Sequence, residues 1–183
     1  GGGSLKTVVD MTGYFIEKGP VVQVKSTGGR KEVLRDNDPT VVWDGPIVVL
    51  VNEFSASASE IIAAALQDYG RAIVLGSKQT FGKGTVQALL PVNEGQLKLT
   101  IAKFYRISGQ STQHRGVIPD IEFPSAFDPE EIGESALDTA LPWDQIRSLR
   151  YRPLDTPQAR VAQLIDRHQT RIASDPNFKA LLQ

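Results

Sequence analysis

A strand, a helix and a second strand follow one another between residues 47 and 75, and this run constrains the fold more than any other part of the sequence. Residues 47–51 form a continuous apolar stretch rich in β-branched side chains, which predicts a strand buried on both faces. Residues 58–69 are apolar almost all round a helix, so this helix is expected to be buried. Residues 72–75 predict a second buried strand. The joints are short, and such a run is a βαβ unit, typical of α/β folds.

Further elements flank this unit. The helical spacing of apolar residues predicts a helix over residues 4–17, which Gly19-Pro20 would end. Apolar runs bounded by turn residues predict strands at residues 21–24, 31–35, 86–90 and 97–107, with the last two joined by a turn at residues 93–95. The class is therefore α/β.

The last third of the sequence has a different character. Residues 124–138 are acidic and short of large apolar side chains, which predicts a surface excursion. Thr156-Pro157 and Asp175-Pro176 are typical helix starts. The helix after Thr156 carries one apolar stripe, and His168 is expected on its partly exposed face. We therefore expect the α/β unit to be followed by a helical tail.

Composition excludes several classes of function. The chain has 183 residues, about one domain's worth, and 20 basic against 21 acidic residues, a net charge of −1. It has no basic excess of the kind that nucleic acids or anionic membrane surfaces attract. The absence of Cys excludes disulfides, thiolate zinc sites and a Cys nucleophile. No apolar run approaches the ~18 residues that a membrane span requires. The first residue is Gly1, not Met, so we expect a piece of a longer chain.

The serine-rich stretch 55–60 is the first candidate for chemistry, because it joins the buried strand to the buried helix. The first N–H groups of a helix lack intrahelical partners and carry partial positive charge, so a serine there would have an anion site beside it. That is the environment an acyl-transfer nucleophile needs. However, Ser57 and Glu60 also have the Ser-x-x-Glu spacing of a capping box, which requires no function.

Lys83 is the second candidate, since it lies between Gly82 and Gly84 in a glycine-rich loop. A phosphate-binding loop is disfavoured, because the spacing from Gly76 to Gly82 is one residue too long and a strand follows where a helix is required. A buried lysine can instead lose its proton near neutral pH and deprotonate a serine. In an extended chain Gln87 would face the same way and could hold the Lys83 amine. The alternative is that Lys83 and Gln87 are ordinary surface residues.

Two histidines offer a weaker alternative. His114 lies in a polar stretch and could be the base of a Ser-His site, whereas His168 lies on the tail helix. Neither histidine sits in a ligand-like cluster, so we expect no metal site.

Several ordered segments resemble the C-terminal processing peptidases, and more narrowly their tail-specific branch. The matching segments are residues 54–61, 66–72, 80–87, 103–106, 111–113, 116–120 and 140–144. The resemblance implies that residues 1–124 are the C-terminal part of a crotonase-like protease core and that residues 125–183 are an acidic excursion with a helical tail. It also implies that a PDZ domain lies upstream in the full protein.

The resemblance assigns roles to particular residues. It implies that Ser57 is the nucleophile, that Lys83 is the general base and that Gln87 orients the lysine. The oxyanion hole would be formed by the backbone N–H groups of Ala58 and of Gly3 or its neighbour Gly2. The chain departs from the family pattern by one extra residue within residues 76–80.

The same resemblance implies substrates, partners and a compartment. It points to unfolded or C-terminally tagged protein substrates, an adaptor protein as a possible partner, and the periplasm or cell envelope of a bacterium. No cofactor is implied. A non-cleaving scaffold or binding fragment with the same fold is the alternative function.

Overall fold

The computed structural model describes residues 1–128, 131–154 and 158–181, and it contains two sheets that share one central helix. In chain order the elements are α1 (Leu5–Gly13), β1 (Gly19–Ser26), β2 (Lys31–Asp36), β3 (Val48–Val51), α2 (Ala58–Asp68), β4 (Ile73–Gly76), β5 (Thr85–Val92), β6 (Gly95–Tyr105), β7 (Ile121–Glu122), a 3-10 turn (Glu134–Ala136), α3 (Gln158–Ser174) and α4 (Pro176–Leu181).

The predicted βαβ unit is confirmed. Strands β3 and β4 pair in parallel, with Val48 opposite Ile73 and Val51 opposite Gly76, and α2 connects them. Strand β7 pairs in parallel with the other side of β4, so the order of this sheet is β3-β4-β7. A Cβ at Gly76 would collide with the Val51 carbonyl, so only glycine fits where the two strands end side by side.

The remaining strands form an antiparallel sheet of order β2-β1-β6-β5. The four predicted strands are confirmed, and the hairpin β5–β6 turns at residues 93–95 as expected, with Asn93 at a φ of 49°. The register of this hairpin shifts between Val86 and Gln87. Thr85 and Gln87, at the base of β5, are the strand residues that matter for the site described below.

Helix α2 packs against both sheets, which explains its nearly uniform apolar surface. One group of buried side chains joins α2 to α1 and the antiparallel sheet, and it includes Ile61 and Leu66. A second group joins Ala63 and Ala64 of the same helix to the parallel sheet. Each fully buried Leu or Ile contributes about 1.5–3 kcal/mol to the free energy of unfolding. Because both groups of buried side chains include residues of α2, this helix is the centre of the core.

Strand β3 is not buried on both faces, contrary to the prediction from its composition. Val51 is buried, but Val48 is 58% exposed and Leu50 is 74% exposed. The reason is position, because β3 is an edge strand of the parallel sheet and α2 covers only one of its faces. The continuous apolar run therefore predicted more burial of β3 than the structure shows.

Helix α1 ends at Gly13, four residues before the predicted end. Its first turn is capped by Ser4, whose hydroxyl accepts the Thr7 N–H at 3.3 Å. At the other end, the Tyr14 carbonyl turns away and accepts the N–H groups of Val42 and Trp43 at 2.9 and 3.1 Å. This contact with a distant loop ends the helix before Gly19-Pro20 does.

The predictions for the C-terminal third have different outcomes. Most described residues of the segment 124–138 are exposed as expected, but Gly133 and Glu134 are buried, and Glu134 packs against the Lys83 loop. His168 was expected to be partly exposed, but it is only 7% exposed, because its ring packs between Phe123 and Phe178.

The two predicted helix starts have different outcomes. The start at Asp175-Pro176 is confirmed, since the Asp175 carboxylate accepts the Asn177 N–H at 2.8 Å. Thr156-Pro157 lies outside the described residues. Over the described ranges, no helix has the length and hydrophobicity needed to cross a bilayer.

Candidate active site

Ser57 lies at the sharp junction between β3 and α2, where it is the N-cap of the helix. Its φ of 58° and ψ of −115° place it in a region that non-glycine residues rarely adopt, at a cost of roughly 1–3 kcal/mol. The capping-box arrangement is present, with the Ser57 N–H donated to the Glu60 carboxylate at 2.7 Å, although the Ser57 hydroxyl forms no capping hydrogen bond.

The N-terminal glycines lie directly beside this serine. A Cβ at Gly2 would come within 2.8 Å of the Ser57 Cβ and 2.9 Å of the Ala56 carbonyl oxygen, so the backbone there approaches closely because it has no side chain. The N–H groups of Ser59 and Glu60 donate to the carbonyls of Ala56 and Ser57 at 3.2 and 2.9 Å. Ala58 is the first residue of α2, where a backbone N–H has no carbonyl one turn earlier in the helix to bond to. Gly3 and Ala58 both line the pocket into which Ser57 opens.

Glu60 connects the serine junction to the glycine-rich loop. Its side chain is fully buried, and its Oε1 accepts the Thr80 hydroxyl at 2.6 Å and the Gly82 N–H at 2.7 Å. Its Oε2 accepts the N–H groups of Ser57 and Lys83 at 2.7 and 3.0 Å. Burial raises the pKa of Glu60 and its hydrogen bonds act in the opposite direction, and the net result is a pKa of about 7. One side chain therefore fixes both segments of the candidate site.

Lys83 is half-buried, and its side-chain nitrogen is held by a residue of β5. Nζ donates to the Thr85 carbonyl at 2.7 Å and to the Thr85 hydroxyl at 3.2 Å. Burial lowers the pKa of Lys83, and Lys98 lowers it further, while the charges of Glu134 and Glu60 act in the opposite direction. The net effect is a lowered pKa, which is the property a lysine base requires.

One pocket of about 430 Å³ brings most of the candidate residues together. Its polar lining comes from Ser57, Lys83, Thr85, Gln87 and Lys98. The remaining lining is backbone or apolar, contributed by Gly3, Leu5, Ala58, Ile61, Val86, Leu89 and Phe104. Ser57 and Lys83 thus face a single concave space, although they are 26 positions apart in the sequence.

The side-chain hydrogen bond of Gln87 is not the one expected of a residue that orients Lys83. Gln87 is exposed on β5, and its Nε2 donates to the Thr100 hydroxyl at 3.5 Å. Thr85, two residues closer to Lys83, makes the contacts with the lysine. Thr85 had no role in the prediction from sequence.

His114 contacts the glycine-rich loop through its backbone and Ser135 through its ring. Its backbone N–H donates to the Gly82 carbonyl at 2.9 Å, and its ring Nδ1 lies 3.2 Å from the Ser135 hydroxyl. The described lining of the pocket that contains Ser57 does not include His114. The geometry therefore favours Lys83 over His114 as the partner of Ser57.

The profile of peptidase family S41 matches residues 1–123 of the chain. The chain belongs to peptidase family S41. A second profile, described as the C-terminal domain of tail specific protease, matches residues 127–183 of this S41 chain. The predicted resemblance to the C-terminal processing peptidases is thereby confirmed.

Relatives of this S41 chain carry names that agree with the family. It is 46% identical to the tail-specific protease of Haemophilus influenzae over 99% of the chain and 28% of the relative. It is 38% identical to the carboxy-terminal processing protease CtpA of Bacillus subtilis, over 66% of the chain and 26% of that relative. The chain thus spans little more than a quarter of the length of these relatives.

A solved structure shows the same relationship at the level of the fold. The photosystem II D1 C-terminal processing protease superposes with a TM-score of 0.60 at 31% sequence identity. The match covers 71% of this chain and 33% of the solved one. The mixed α/β class is therefore shared with a protease of the same kind.

Proposed function

We propose that this chain carries the catalytic groups of a serine endopeptidase with a Ser57–Lys83 dyad. The observation that carries the proposal is the shared pocket: a serine at a helix N-terminus and a half-buried lysine with a lowered pKa line the same space. The family of the chain and the protease names of its relatives support the same conclusion.

The contacts of Lys83 fit a neutral amine acting as the base. A neutral amine has two N–H bonds and one lone pair, and the two N–H bonds match the two acceptors that Thr85 offers. The lone pair is then left for the proton of the Ser57 hydroxyl. In this role Thr85 orients Lys83, a task that the family resemblance assigns to Gln87.

The proposed reaction runs in two halves. Ser57 Oγ attacks the scissile carbonyl carbon while Lys83 Nζ takes the hydroxyl proton. The backbone N–H of Ala58, with that of Gly3 or Gly2, stabilises the oxyanion. The C–N bond then breaks, and the leaving amine takes the proton from Lys83. Water loses a proton to Lys83, attacks the acyl-enzyme and releases Ser57, which regains that proton.

The finer features of the proposal come from the resemblance. We propose that residues 1–124 are the C-terminal part of a crotonase-like core and that residues 125–183 are an acidic excursion with a helical C-terminal tail, and the two profile matches support this division. The substrates would be proteins recognised by their C-termini, in the bacterial periplasm or cell envelope, with an adaptor as a possible partner. The name of the Haemophilus relative supports the substrate class.

Cleavage of an unfolded protein by this chain tests the function. Reduced, alkylated protein is incubated with the chain, with the Lys83→Ala variant and with a control, Lys78→Ala, which removes an exposed lysine of the same loop. Cleavage by the parent and the control but not by Lys83→Ala is the expected result. Equal cleavage by all three would exclude Lys83 as the base.

A non-cleaving scaffold is the second candidate, because the chain spans only 28% of the length of the Haemophilus relative. If the parent does not cleave while the Haemophilus tail-specific protease does so in the same assay, the scaffold is favoured for this chain. The dyad is then tested separately by asking whether a serine-reactive phosphonate labels Ser57 in the parent but not in Lys83→Ala.

A further inference from the structure

Glu134 belongs to the segment that matches the C-terminal domain of tail specific protease, yet it is buried against the loop of the candidate base. Its backbone N–H donates to the Phe81 carbonyl at 2.8 Å. Its carboxylate Oε1 accepts the Gln113 Nε2 at 3.0 Å. Both contacts join the C-terminal segment to the part of the chain that matches the S41 profile.

Gln113 extends this contact to the backbone next to Lys83. Its side chain is fully buried, and its Oε1 accepts the Gly84 N–H at 2.9 Å. Its neighbour Thr112 donates its hydroxyl to the Lys83 carbonyl at 3.2 Å. A Cβ at Gly84 would lie 2.8 Å from the Gln113 nitrogen, so the two backbones are in close contact. Glu134, Gln113 and Gly84 thus form one buried hydrogen-bonded series.

We propose that Glu134 is a positioning residue for Lys83, through which the C-terminal segment holds the base-bearing loop and places a negative charge beside it. The inference rests on the proposed function, because a role toward the base exists only if Lys83 is the base. Glu134 is not among the residues that line the pocket, and its hydrogen bonds reach the Lys83 loop through Gln113 and Phe81.

The charges around Lys83 predict how its protonation should respond to the loss of the Glu134 charge. Three charged groups affect the lysine: Glu60 on α2, Lys98 on β6, and Glu134, whose charge has the largest influence of the three. The Glu134 carboxylate raises the pKa of Lys83 against the effect of burial. Removing that charge while keeping the hydrogen bond should therefore make the lysine lose its proton at lower pH.

Glu134→Gln separates charge from structure, because the amide oxygen can still accept from Gln113. The Lys83 ε-CH₂ resonance is followed by NMR against pH in the parent, in Glu134→Gln and in Glu131→Gln, a control that neutralises an exposed acid of the same segment. We expect the Lys83 midpoint to fall by roughly half a pH unit or more in Glu134→Gln and to stay in place in the control.

Glu134→Ala tests whether Glu134 holds the Lys83 loop in place, because it removes the acceptor of the Gln113 amide group. Hydrogen exchange of the Gly84 amide should become about tenfold faster or more in this variant, while amides of β1 keep their protection. Neither measurement requires the chain to cleave anything. An unmoved Lys83 midpoint in Glu134→Gln together with unchanged Gly84 exchange in Glu134→Ala would overturn the inference.

Failure of the proposed function gives a different result. If Lys83→Ala still cleaves the unfolded substrate, the dyad is wrong and the role of Glu134 toward the base is wrong with it, even where Gly84 exchange responds. If Lys83→Ala is inactive while both Glu134 variants behave like the parent, the dyad stands and only the inference about Glu134 is rejected.

Discussion

The Glu60 carboxylate accepts the Lys83 backbone N–H at 3.0 Å, so the residue three positions after the candidate nucleophile holds the candidate base in place. The same carboxylate accepts the Ser57 N–H. The geometry of the dyad therefore depends on one buried acid that need not touch the substrate. This acid was visible in the sequence only as half of a capping box.

Glu60→Gln should lower both stability and activity. Whichever way the amide is oriented, its NH₂ group faces two donors that the carboxylate now accepts from, and each unsatisfied buried donor costs about 1–3 kcal/mol. We expect the free energy of unfolding to drop by about 2–5 kcal/mol and cleavage to fall tenfold or more. Urea unfolding and initial rates measure these effects, and the exposed Glu94→Gln serves as control. A stability equal to that of the parent would contradict the assignment.

The stability of the fold should decrease as the pH rises from about 4.5 to about 7. Burial raises the pKa of Glu60 from 4.5 to about 7, so the folded state holds a proton that the unfolded state has already lost in this window. The difference corresponds to roughly 3 kcal/mol, present below the unfolded pKa and lost as the pH passes the folded one. Urea titrations at several pH values should show this loss in the parent but not in Glu60→Gln. A parent stability that increases through the same window would exclude the raised pKa.

Lys98→Ala should shift the pH profile of activity to higher pH. The Lys98 charge lowers the pKa of Lys83, so its removal makes the lysine base keep its proton to a higher pH. The base must be neutral to act, so the acid limb of the plot of kcat/KM against pH should move to higher pH. A shift of a few tenths of a pH unit is expected, because Lys98 is one exposed charge that solvent and salt screen. Lys78→Ala is the matched control. A shift toward lower pH would show that Lys83 does not set this limb.

Ser57→Gly should be more stable than Ser57→Ala, although both should be inactive. Glycine adopts a positive φ without the steric cost that alanine carries, and the difference is roughly 1–3 kcal/mol. Urea unfolding of the two variants side by side measures it. Identical midpoints and slopes would mean that the serine junction is not strained.

The parts of this fold that could be predicted are those set by local pattern. The βαβ unit and the β5–β6 hairpin follow from apolar runs, short joints and a turn sequence, and all of these lie close together along the chain. Burial of single residues was harder to predict. Leu50, Glu134 and His168 each look ordinary in sequence, and their exposure depends on segments far away that either cover them or leave them open.

The candidate site also contains residues that could be predicted from the sequence and residues that could not. Ser57 and Lys83 were identified because they stand in recognisable motifs, and the structure brings both to one pocket. Thr85 contacts Lys83 from two positions along the chain, Glu60 bonds to the Lys83 backbone from α2, and Glu134 bonds to Gln113 from the C-terminal segment. Gln113 has the same character, since its importance comes from being buried between two loops. No spacing rule reveals such contacts before the chain is folded.

Because α2 is packed between both sheets, neither layer can separate from the other without exposing the helix that Ser57 caps. Loss of structure should therefore be cooperative across the two layers, without a stage in which one sheet survives on its own. Amide protons in the middle of α2 should exchange only when the whole chain unfolds. The candidate nucleophile is thereby attached to the part of the protein that comes apart last.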